Sequence, residues 1–473
     1  MSFNADIDEI VAENRNRLLG AHPSWKRVRL REVAVLLNGF PFESAKFRKD
    51  KGTPLLRIRD VVRGQTETFY EGDFDRTFLV QPGELVVGMD GDFNSALWRG
   101  EPALLNQRVC KITTESSRYS PKFLEYVLPG YLAAINAHTP SVTVKHLSSR
   151  TISDIPLPHP PLDEQQRIVA EIEKQFTRLD SGVASLKRVE VALKRYRASV
   201  LKAACEGRLV PTEVELFRKE NRSYETGEQL LQRILKERNE KWEGRGKYKE
   251  PYAPDLAELP SLPAGWCWLA IDAIAFVTKL AGFEYTKFVK YDSAGDRAVI
   301  KAENAGSTGF NRTDFSRVKH STVANLTRSQ LMAGDLLMVF VGNVGNVARV
   351  PDDQPYFLGP NIGMIRVNSA DVSSAYLEFY LRSPSGRARA LGFVKAVAQP
   401  SLSMGTIRMI PVAIPPLAEQ QRIVAEVERR LSVIDDLEAI TSTELRRATR
   451  LRQSILQKAF SGSLATTVGP GNL

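Results

Sequence analysis

The side chains of this sequence that are best equipped for chemistry are arginines, asparagines and glutamines in short, polar stretches. Arg57 and Arg59 alternate as residues on one face of a strand do, and two asparagines lie in VGNVGN from Val341. A guanidinium or a carboxamide can make two hydrogen bonds at once to the edge of a nucleic-acid base, and a lysine ammonium can hold a phosphate. The chemistry that these residue types offer is recognition of a nucleic acid.

Candidate recognition residues occur in both halves of the chain, in a basic stretch, in Gly-rich turns, after predicted strands and before a predicted helix. In the first half they are Lys46, Arg48, Lys49, Lys51, Arg57, Arg59, Asn94, Asn106, Gln107, Arg108 and Lys145. Matching landmarks in the second half give Lys287, Lys290, Lys301, Asn304, Asn343, Asn346, Asn361, Lys395 and Gln399. The alternatives stay open: a basic loop can be a solvated loop, and asparagine in G-N-x-G-N can serve only to accept a left-handed turn.

Composition permits an anionic partner. The chain has 65 Lys+Arg against 55 Asp+Glu, a net charge of +10, which suits a nucleic acid but also suits solubility alone. Three scattered cysteines, Cys110, Cys205 and Cys267, argue against disulfides and a structural zinc site. The N-terminal residues lack the layout of a signal peptide, and no apolar run reaches the about 20 residues that span a bilayer. We therefore expect a soluble, cytoplasmic protein without a membrane partner.

Motifs of the common catalytic classes are missing from the sequence. It contains no G-x-x-x-x-G-K-[ST] phosphate loop, and neither Pro-Pro pair forms the Asn/Asp-Pro-Pro-Tyr turn of amino-methyltransferases. Glu-x-Lys, the usual end of a Mg²⁺ nuclease site, does not occur, and the five histidines form no H-E-x-x-H pair. Together these absences make a catalytic site and a bound metal improbable.

One polar segment, which we call the duplicated phrase, occurs twice in the sequence. LDEQQRIVAEIE begins at Leu162 and LAEQQRIVAEVE begins at Leu417, and the same register continues without a gap from Leu147 to Leu209 in the first copy. Upstream landmarks recur in the same order with gaps, such as PSW before PAGW and FLEYVL before YLEFYL. A repeat of this length indicates duplicated architecture.

Each copy of the phrase opens a long predicted helix. Its apolar residues are spaced alternately three and four apart, the a/d pattern of a coiled coil, and Gly207 and Gly462 supply the stops. A helix of this kind cannot bury its seam alone, so we expect the two helices to pack on each other. The seam residues are Val169, Ile172, Phe176, Leu179, Val183 and Leu186 in the first copy, and Val424, Val427, Leu431 and Ile434 in the second.

The remaining sequence predicts two mixed α/β (α+β) domains as tandem pseudo-repeats. Short Val/Ile/Leu-rich segments bounded by Gly, Asp, Asn and Pro indicate strands, and FLEYVL and YLEFYL indicate helices with a serine cap. The predicted order is an N-terminal helix (1–24), a first domain (25–150), spacer helix 1 (151–210), a short helix and connector (211–262), a second domain (263–405) and spacer helix 2 (406–473).

This organisation resembles the specificity subunit of type I restriction-modification enzymes. The resemblance rests first on the segments ISDIPLPHPPLDEQQRIVAEIE and IRMIPVAIPPLAEQQRIVAEVE. It also rests on AFSGSL at Ala459 with its degenerate partner ACEGRL at Ala204, and on the Trp-containing segments PSW and LPAGW with which the two domains begin. The helix ETGEQLLQRILKERNEKWE and the connector KYKEPYAPDLAELP also fit the pattern. The likeness covers essentially the whole chain.

The resemblance implies a function without catalysis in this chain. Each domain would recognise one half of a bipartite, asymmetric site on double-stranded DNA, and the two helices would form an antiparallel coiled coil that sets the spacing. One copy would bind two modification subunits, which methylate adenine N6 with S-adenosylmethionine, and two restriction subunits, which use ATP and Mg²⁺; no cofactor would bind to this chain. The duplicated polar residues would meet those partners and each other: Glu164, Gln165, Gln166, Arg167, Glu419, Gln420, Gln421 and Arg422.

Two alternatives differ in class. A two-headed coiled-coil adaptor could bind RNA or protein, and a free-standing modification enzyme would need the methyl-donor motifs that the sequence lacks. Neighbouring reading frames for a methyltransferase and a helicase-nuclease would discriminate against the adaptor.

Overall fold

The chain forms two compact units. The computed structural model describes residues 6–20, 22–139, 144–243, 246–313, 315–393 and 401–464, so the candidates Lys395 and Gln399 lie outside the described residues. Unit 1 comprises Met1–Lys187 with Ser442–Leu473, and unit 2 comprises Arg188–Thr441.

The helices and strands alternate along the chain in two similar series. The first series is α1 (Ile7–Glu13), β1 (Lys26–Arg29), α2 (Leu30–Val33), β2 (Ala34–Asn38), β3 (Phe47–Arg48), β4 (Thr53–Leu56), α3 (Asp60–Arg63), β5 (Phe69–Tyr70), β6 (Leu79–Val80), β7 (Leu85–Gly88), β8 (Ser95–Leu97), β9 (Ala103–Leu105), β10 (Val109–Thr114), α4 (Pro121–His138), α5 (Ser149–Ser153), β11 (Pro156–His159) and α6 (Leu162–Cys205).

The rest of the chain begins with two helices that have no counterpart in the first series and continues with the second series. It consists of α7 (Glu213–Glu220), α8 (Gly227–Glu240), β12 (Cys267–Ala270), α9 (Ile271–Ile274), β13 (Ala275–Lys279), α10 (Gly282–Phe288), β14 (Arg297–Ile300), β15 (Ala305–Gly306), β16 (Gly309–Phe310), β17 (Ser316–Val318), α11 (His320–Val323), β18 (Gln330–Leu331), β19 (Leu336–Val339), β20 (Val347–Arg349), β21 (Tyr356–Leu358), β22 (Ile362–Val367), α12 (Ser374–Arg382), α13 (Pro384–Gly392), α14 (Met404–Arg408), β23 (Pro411–Ile414) and α15 (Leu417–Phe460).

The units confirm the predicted mixed fold and show where two segments differ from it. Among the described residues of the range 1–24, the predicted helix is limited to α1, because Asn14 ends it in the left-handed conformation at φ 41°. The segments assigned to spacer helices also contribute to the domains: β11 pairs with β1 and β23 pairs with β12, both antiparallel. These pairings join each domain to the residues that lead into its long helix.

An antiparallel sheet of the same design lies in each unit. Its strand order is β2-β10-β7-β8 in unit 1 and β13-β22-β19-β20 in unit 2. The register agrees as well, since Val109 is paired with Gly88 and Ile362 is paired with Val339. Positions at the ends of these strands can therefore be equated between the units residue by residue.

A second sheet in each unit contains one parallel pair. Its order is β3-β5-β4-β9-β6 in unit 1 and β17-β14-β21-β18 in unit 2, with β4 parallel to β9 and β14 parallel to β21. The paired residues of both parallel pairs are buried and apolar. Parallel strands that are buried on both faces typically have such continuous hydrophobic runs.

The two long helices have 44 residues each, about 65 Å at 1.5 Å per residue. Helix α6 begins in unit 1 and ends in unit 2, and α15 begins in unit 2 and ends in unit 1. In unit 2, Arg197 of α6 binds Asp435 and Glu438, and Glu213, just beyond α6, binds Arg422 near the start of α15. The two helices are thus antiparallel in this unit.

Unit 1 has the same antiparallel arrangement. The guanidinium of Arg452 donates to Asp180 at 2.7 Å and lies 4.0 Å from the ring centroid of Phe176. Phe460, at the end of α15, shares a core with Ile168, near the start of α6. The predicted antiparallel packing of the spacer helices is confirmed within each unit.

The predicted seam residues are all buried or half-buried, and the structure adds one buried residue near the start of each long helix. Val169, Ile172, Phe176, Val427, Leu431 and Ile434 are buried, and Leu179, Val183, Leu186 and Val424 are half-buried. Ile168 and Ile423, each 1% exposed, were not among the predicted seam residues. They are buried because the first turns of each helix pack a second face against the domain core.

Two glycines provide a matched test of how closely α8 approaches the backbone at Trp266. A Cβ at Gly227, in the first turn of α8, would stand 1.8 Å from the carbonyl oxygen of Trp266, whereas a Cβ at Gly182, inside α6, would meet nothing within 4 Å. We expect Gly227→Ala to lower the free energy of unfolding by about 1–3 kcal/mol, because the helix must move away from the backbone. Gly182→Ala should raise it by up to about 1 kcal/mol through helix propensity. Urea unfolding measures both, and equal effects would contradict the close approach of α8.

Candidate nucleic-acid interface

The duplicated polar residues form a clamp inside each unit. The indole Nε1 of Trp25 donates to Glu164 at 3.2 Å, and that of Trp266 donates to Glu419 at 2.9 Å. Burial raises the pKa of the Glu419 carboxyl, while hydrogen bonds from the Glu213 backbone N–H and the Trp266 indole oppose that rise. Each bond joins the residue that precedes the first strand of a domain to the first turn of its long helix.

The neighbouring glutamines complete the clamp. Gln165 accepts from the backbone N–H of Ser120, and Gln420 accepts from that of Ser373, both at 2.8 Å. These serines cap α4 and α12, so each amide holds the start of a core helix. The same amides donate to the carbonyls of Pro160 at 2.9 Å and Pro415 at 2.8 Å. We call the Trp–Glu and Gln–Ser bonds together the clamp.

The clamp corrects the predicted partner interface. Gln165, Glu419 and Gln420 are completely buried, so their side chains are used within the unit and the prediction that they meet another subunit is wrong. Glu164 is half-buried, and for this residue the prediction stays a prediction. Gln166 and Gln421 are exposed, which keeps them as candidates.

The arginines that follow make bonds of their own. Arg167 pairs with Asp163 at 3.2 Å on the exposed face of α6. Arg422 binds Glu213 and the carbonyl of Pro211 at 3.2 Å. Only Arg167 of the two is fully exposed and remains a candidate for contact with a partner.

Adjacent glutamines test the clamp. Gln420→Ala would leave the Ser373 N–H and the carbonyls of Asp371 and Pro415 without their bonds in a buried site, and we expect it to lower the free energy of unfolding by about 2–3 kcal/mol. Gln421→Ala removes the same atoms from an exposed position and should change it by less than about 0.5 kcal/mol. Denaturant unfolding of the two variants makes the comparison, and equal losses would contradict the role of the clamp.

The basic stretch of unit 1 is partly neutralised by ion pairs. Lys46 binds Glu43 at 2.9 Å, and Arg48 and Lys51 bind Glu71 at 2.8 and 2.7 Å. The hydrogen bonds from Lys51 and Arg48 lower the pKa of the Glu71 carboxyl. This stretch is therefore an ordered turn and short strand with little excess charge at these three positions.

Arg57 and Arg59 do not lie on a strand, contrary to the prediction. Strand β4 ends at Leu56, because the buried Asp60 carboxylate accepts from the Arg57 N–H at 3.0 Å and starts the turn into α3. The two arginines nevertheless face the same cavity, of about 660 Å³. Its lining residues are Phe47, Arg48, Lys49, Arg57, Arg59, Asp60, Arg63, Glu67 and Thr68.

The cavity carries an excess of positive charge. Within the described residues, the side chains of Lys49, Arg57, Arg59 and Arg63 have no salt bridge; Arg57 lies 5.9 Å from the ring centroid of Phe47. One of its two acidic residues, Asp60, is only 3% exposed and is bound to backbone. Arg63 was missed in the sequence because nothing marks it as facing the others. A concave surface with unpaired guanidinium groups suits phosphate oxygens.

We call the four-stranded sheets β2-β10-β7-β8 of unit 1 and β13-β22-β19-β20 of unit 2 the main sheets. Other candidates of unit 1 meet at one end of its main sheet. The backbone joins three loops there: Met89 N–H donates to Arg108 at 3.0 Å, Leu147 N–H donates to Met89 at 2.7 Å, and Gly91 N–H donates to Lys145 at 3.0 Å. Lys145 itself is bound to Asn136, with Nζ 2.9 Å from Oδ1. The structure thus brings together the loops that contain Asn94, Asn106, Gln107, Arg108 and Lys145.

Two candidates of unit 2 are internal. Asn304 is 1% exposed, and its Oδ1 accepts from the Lys301 N–H at 2.9 Å. Asn346 is 9% exposed, donates to the Ala305 carbonyl at 3.1 Å and accepts from Arg387 at 2.9 Å. Both amides stabilise loops, so the prediction that they bind a ligand is wrong.

Other candidates of unit 2 remain accessible. Asn343, Asn361, Lys287 and Lys290 are exposed, whereas Lys301 is half-buried with its Nζ 2.7 Å from Ser316 Oγ. The suggestion that the asparagines of VGNVGN accept left-handed turns is wrong, since Gly342 and Gly345 take that conformation at φ 90° and 81°. Asn361, by contrast, does adopt it at φ 63°.

The chain resembles known proteins over nearly its whole length. The family model described as type I restriction modification DNA specificity domain matches residues 23–187 and 281–447. The specificity subunit of the type I restriction enzyme EcoBI from Escherichia coli is 34% identical over 98% of this chain and 91% of that protein. The EcoKI specificity subunit from Escherichia coli K12 is 22% identical over 93% of this chain and 89% of that protein.

The fold is also found in a solved structure. A chain from a study of complex assembly and conformational transition of the type I R-M system aligns with a TM-score of 0.58 at 18% identity, over 93% of this chain and 98% of that one. In the part of the chain that the structure describes, no helix is long and apolar enough to cross a membrane. Two matched specificity domains and a full-length relative at 34% identity place this chain in the family of type I restriction-modification specificity subunits.

Proposed function

We propose that each unit of this specificity subunit recognises one half of a bipartite, asymmetric sequence in double-stranded DNA. The observation that carries the proposal is the pair of congruent sheets, whose strand ends present different side chains on the same backbone design. Two copies of one scaffold with different loops suit two half-sites that differ in sequence. The antiparallel long helices would fix the spacing between the half-sites.

The cationic cavity of unit 1 would hold phosphates. Lys49, Arg57, Arg59 and Arg63 offer unpaired positive charge beside α3, and phosphate contacts position a protein on DNA without selecting a base. Base recognition would come from the loops at the end of the main sheet, where exposed arginine and asparagine side chains occur.

The chain would act within a larger complex and carry no catalytic site of its own. One copy would bind two modification subunits, which would use S-adenosylmethionine to methylate adenine N6, and two restriction subunits, which would use ATP and Mg²⁺ for cleavage and translocation. Gln166 and Gln421 support this symmetry of partners, because they are exposed at equivalent positions of the duplicated phrase. A repeated surface on a single chain suits two identical subunits.

Salt dependence tests the phosphate contacts. Arg63→Ala should make the slope of log K against log salt less negative by about 0.9 for duplex DNA, because one phosphate contact is lost. It should weaken binding to all DNA sequences alike. Arg76→Ala, at an exposed arginine of the same unit outside the cavity, should leave the slope unchanged. Fluorescence anisotropy over a salt series gives both slopes. Binding by the wild type that does not depend on salt would contradict DNA as the ligand.

A domain exchange tests the assignment of one half-site to each unit. Replacing residues 1–150 by those of another member of the family should change one half of the methylated sequence and leave the other half intact. Methylome sequencing of cells with and without the gene, and with the hybrid, measures the outcome. A change in both halves would show that the units do not act separately, and no methylation difference on deletion would favour an RNA or protein adaptor.

A further inference from the structure

One position at the end of the main sheet is equivalent in the two units and holds an arginine in unit 1 and an asparagine in unit 2. In unit 1 the N–H of Met89, just after β7, donates to the carbonyl of Arg108, just before β10, at 3.0 Å. In unit 2 the N–H of Phe340, just after β19, donates to the carbonyl of Asn361, just before β22, at 3.3 Å. Arg108 and Asn361 therefore occupy the same place.

A third segment confirms the equivalence. Leu147 N–H donates to the Met89 carbonyl at 2.7 Å, and Leu402 N–H donates to the Phe340 carbonyl at 3.0 Å. Leu147 and Leu402 lie in the same register of the sequence repeat as the duplicated phrase. Three loops thus meet through matching backbone bonds in both units, and the side chains at their tips differ.

The Arg108 guanidinium is exposed and held from one side. Its side chain is 56% exposed, and its Nε lies 3.4 Å from Asp90. Asp90 also binds His146 Nδ1 at 2.7 Å and is itself 21% exposed in its side chain. A carboxylate anchored by a second residue restricts the guanidinium while leaving its terminal nitrogens free to make two parallel hydrogen bonds.

The residues of unit 2 that are equivalent to Asp90 and His146 are uncharged. Val341 and Ser401 form the β-bridge that corresponds to the bridge between Asp90 and His146. Asn361 is exposed, and its side-chain amide has no hydrogen bond within the described part of the chain. The backbone of Asn361 is left-handed at φ 63°, a conformation that asparagine tolerates.

We propose that Arg108 and Asn361 determine base identity at corresponding positions of the two half-sites, with Arg108 selecting a guanine and Asn361 an adenine. Arginine matches the O6 and N7 acceptors of guanine, and asparagine matches the N6 donor and N7 acceptor of adenine. This inference rests on the proposed recognition of DNA by both units. Asp90 is a positioning residue, because it acts on the base only through Arg108.

The test is a reciprocal exchange in the full chain assembled with its modification subunits. The probe is a duplex DNA library randomised in both half-sites, and bound molecules are sequenced. Arg108→Asn should replace a guanine preference by an adenine preference at one position of one half-site, and Asn361→Arg should do the reverse in the other half-site. Each should change discrimination by roughly 10- to 100-fold. An unchanged motif in both variants would overturn the proposal.

Further variants separate base recognition from other roles. Arg108→Lys keeps the charge but not the paired donors, so guanine preference should fall while overall affinity is retained; a retained preference would identify a phosphate contact and overturn the proposal. Asp90→Asn should weaken guanine discrimination while raising affinity for unrelated DNA, a division that a purely structural role would not produce. A wild-type complex that selects no sequence would refute the proposed function itself, whereas a selected motif that none of these variants alters would refute only this inference.

Discussion

The buried bonds between Gln165 and Ser120, and between Gln420 and Ser373, determine how the rest of this structure is organised. Loss of the hydrogen bonds of a buried amide would remove a large fraction of the free energy of unfolding of a domain. Each glutamine therefore fixes its long helix to its core helix in one orientation. The Trp–Glu bond adds the first strand of the domain to the same point. A domain and the start of its long helix are consequently held together by the same group of hydrogen bonds.

This constraint explains which residues recur in the two halves and which do not. Within the duplicated phrase, the recurrence of Glu164, Gln165, Glu419 and Gln420 follows from their internal partners, because a change would leave a polar group of the clamp unpaired. The loops after β7 and before β10, and the equivalent loops after β19 and before β22, have only to keep their backbone bonds. Their side chains can therefore change from Arg108 to Asn361 without a cost to the fold.

The architecture was predictable because it rests on periodic signals. Heptad spacing, serine caps and the glycine stops gave both long helices and the tandem organisation. The sequence could not tell Gln165 from Gln166, because adjacent amides are equally polar and only the direction of packing decides which is buried. Ile168 and Ile423 lie next to the seam positions and become buried only when the helix meets the domain.

The candidate site was less predictable, since tertiary contacts override local pattern there. Arg57 and Arg59 follow the alternation of TPLLRIRDVV, but Asp60 captures the Arg57 N–H and ends the strand. Asn346 looks like an exposed loop residue until Arg387 and the Ala305 carbonyl are brought to it by distant parts of the chain. Arg63 faces the cationic cavity only because a single helical turn follows the strand.

The division of the chain also imposes an order on its folding. Unit 2 is a continuous segment, whereas the core of unit 1 includes Ile455, Ala459 and Phe460 from the other end of the chain. The unit that leaves the ribosome first is therefore the one that must wait, with an apolar surface around Phe123 uncovered until the last helix emerges. A chain interrupted after unit 2 and before the second half of α15 would hold a complete second unit and a first unit that lacks part of its core.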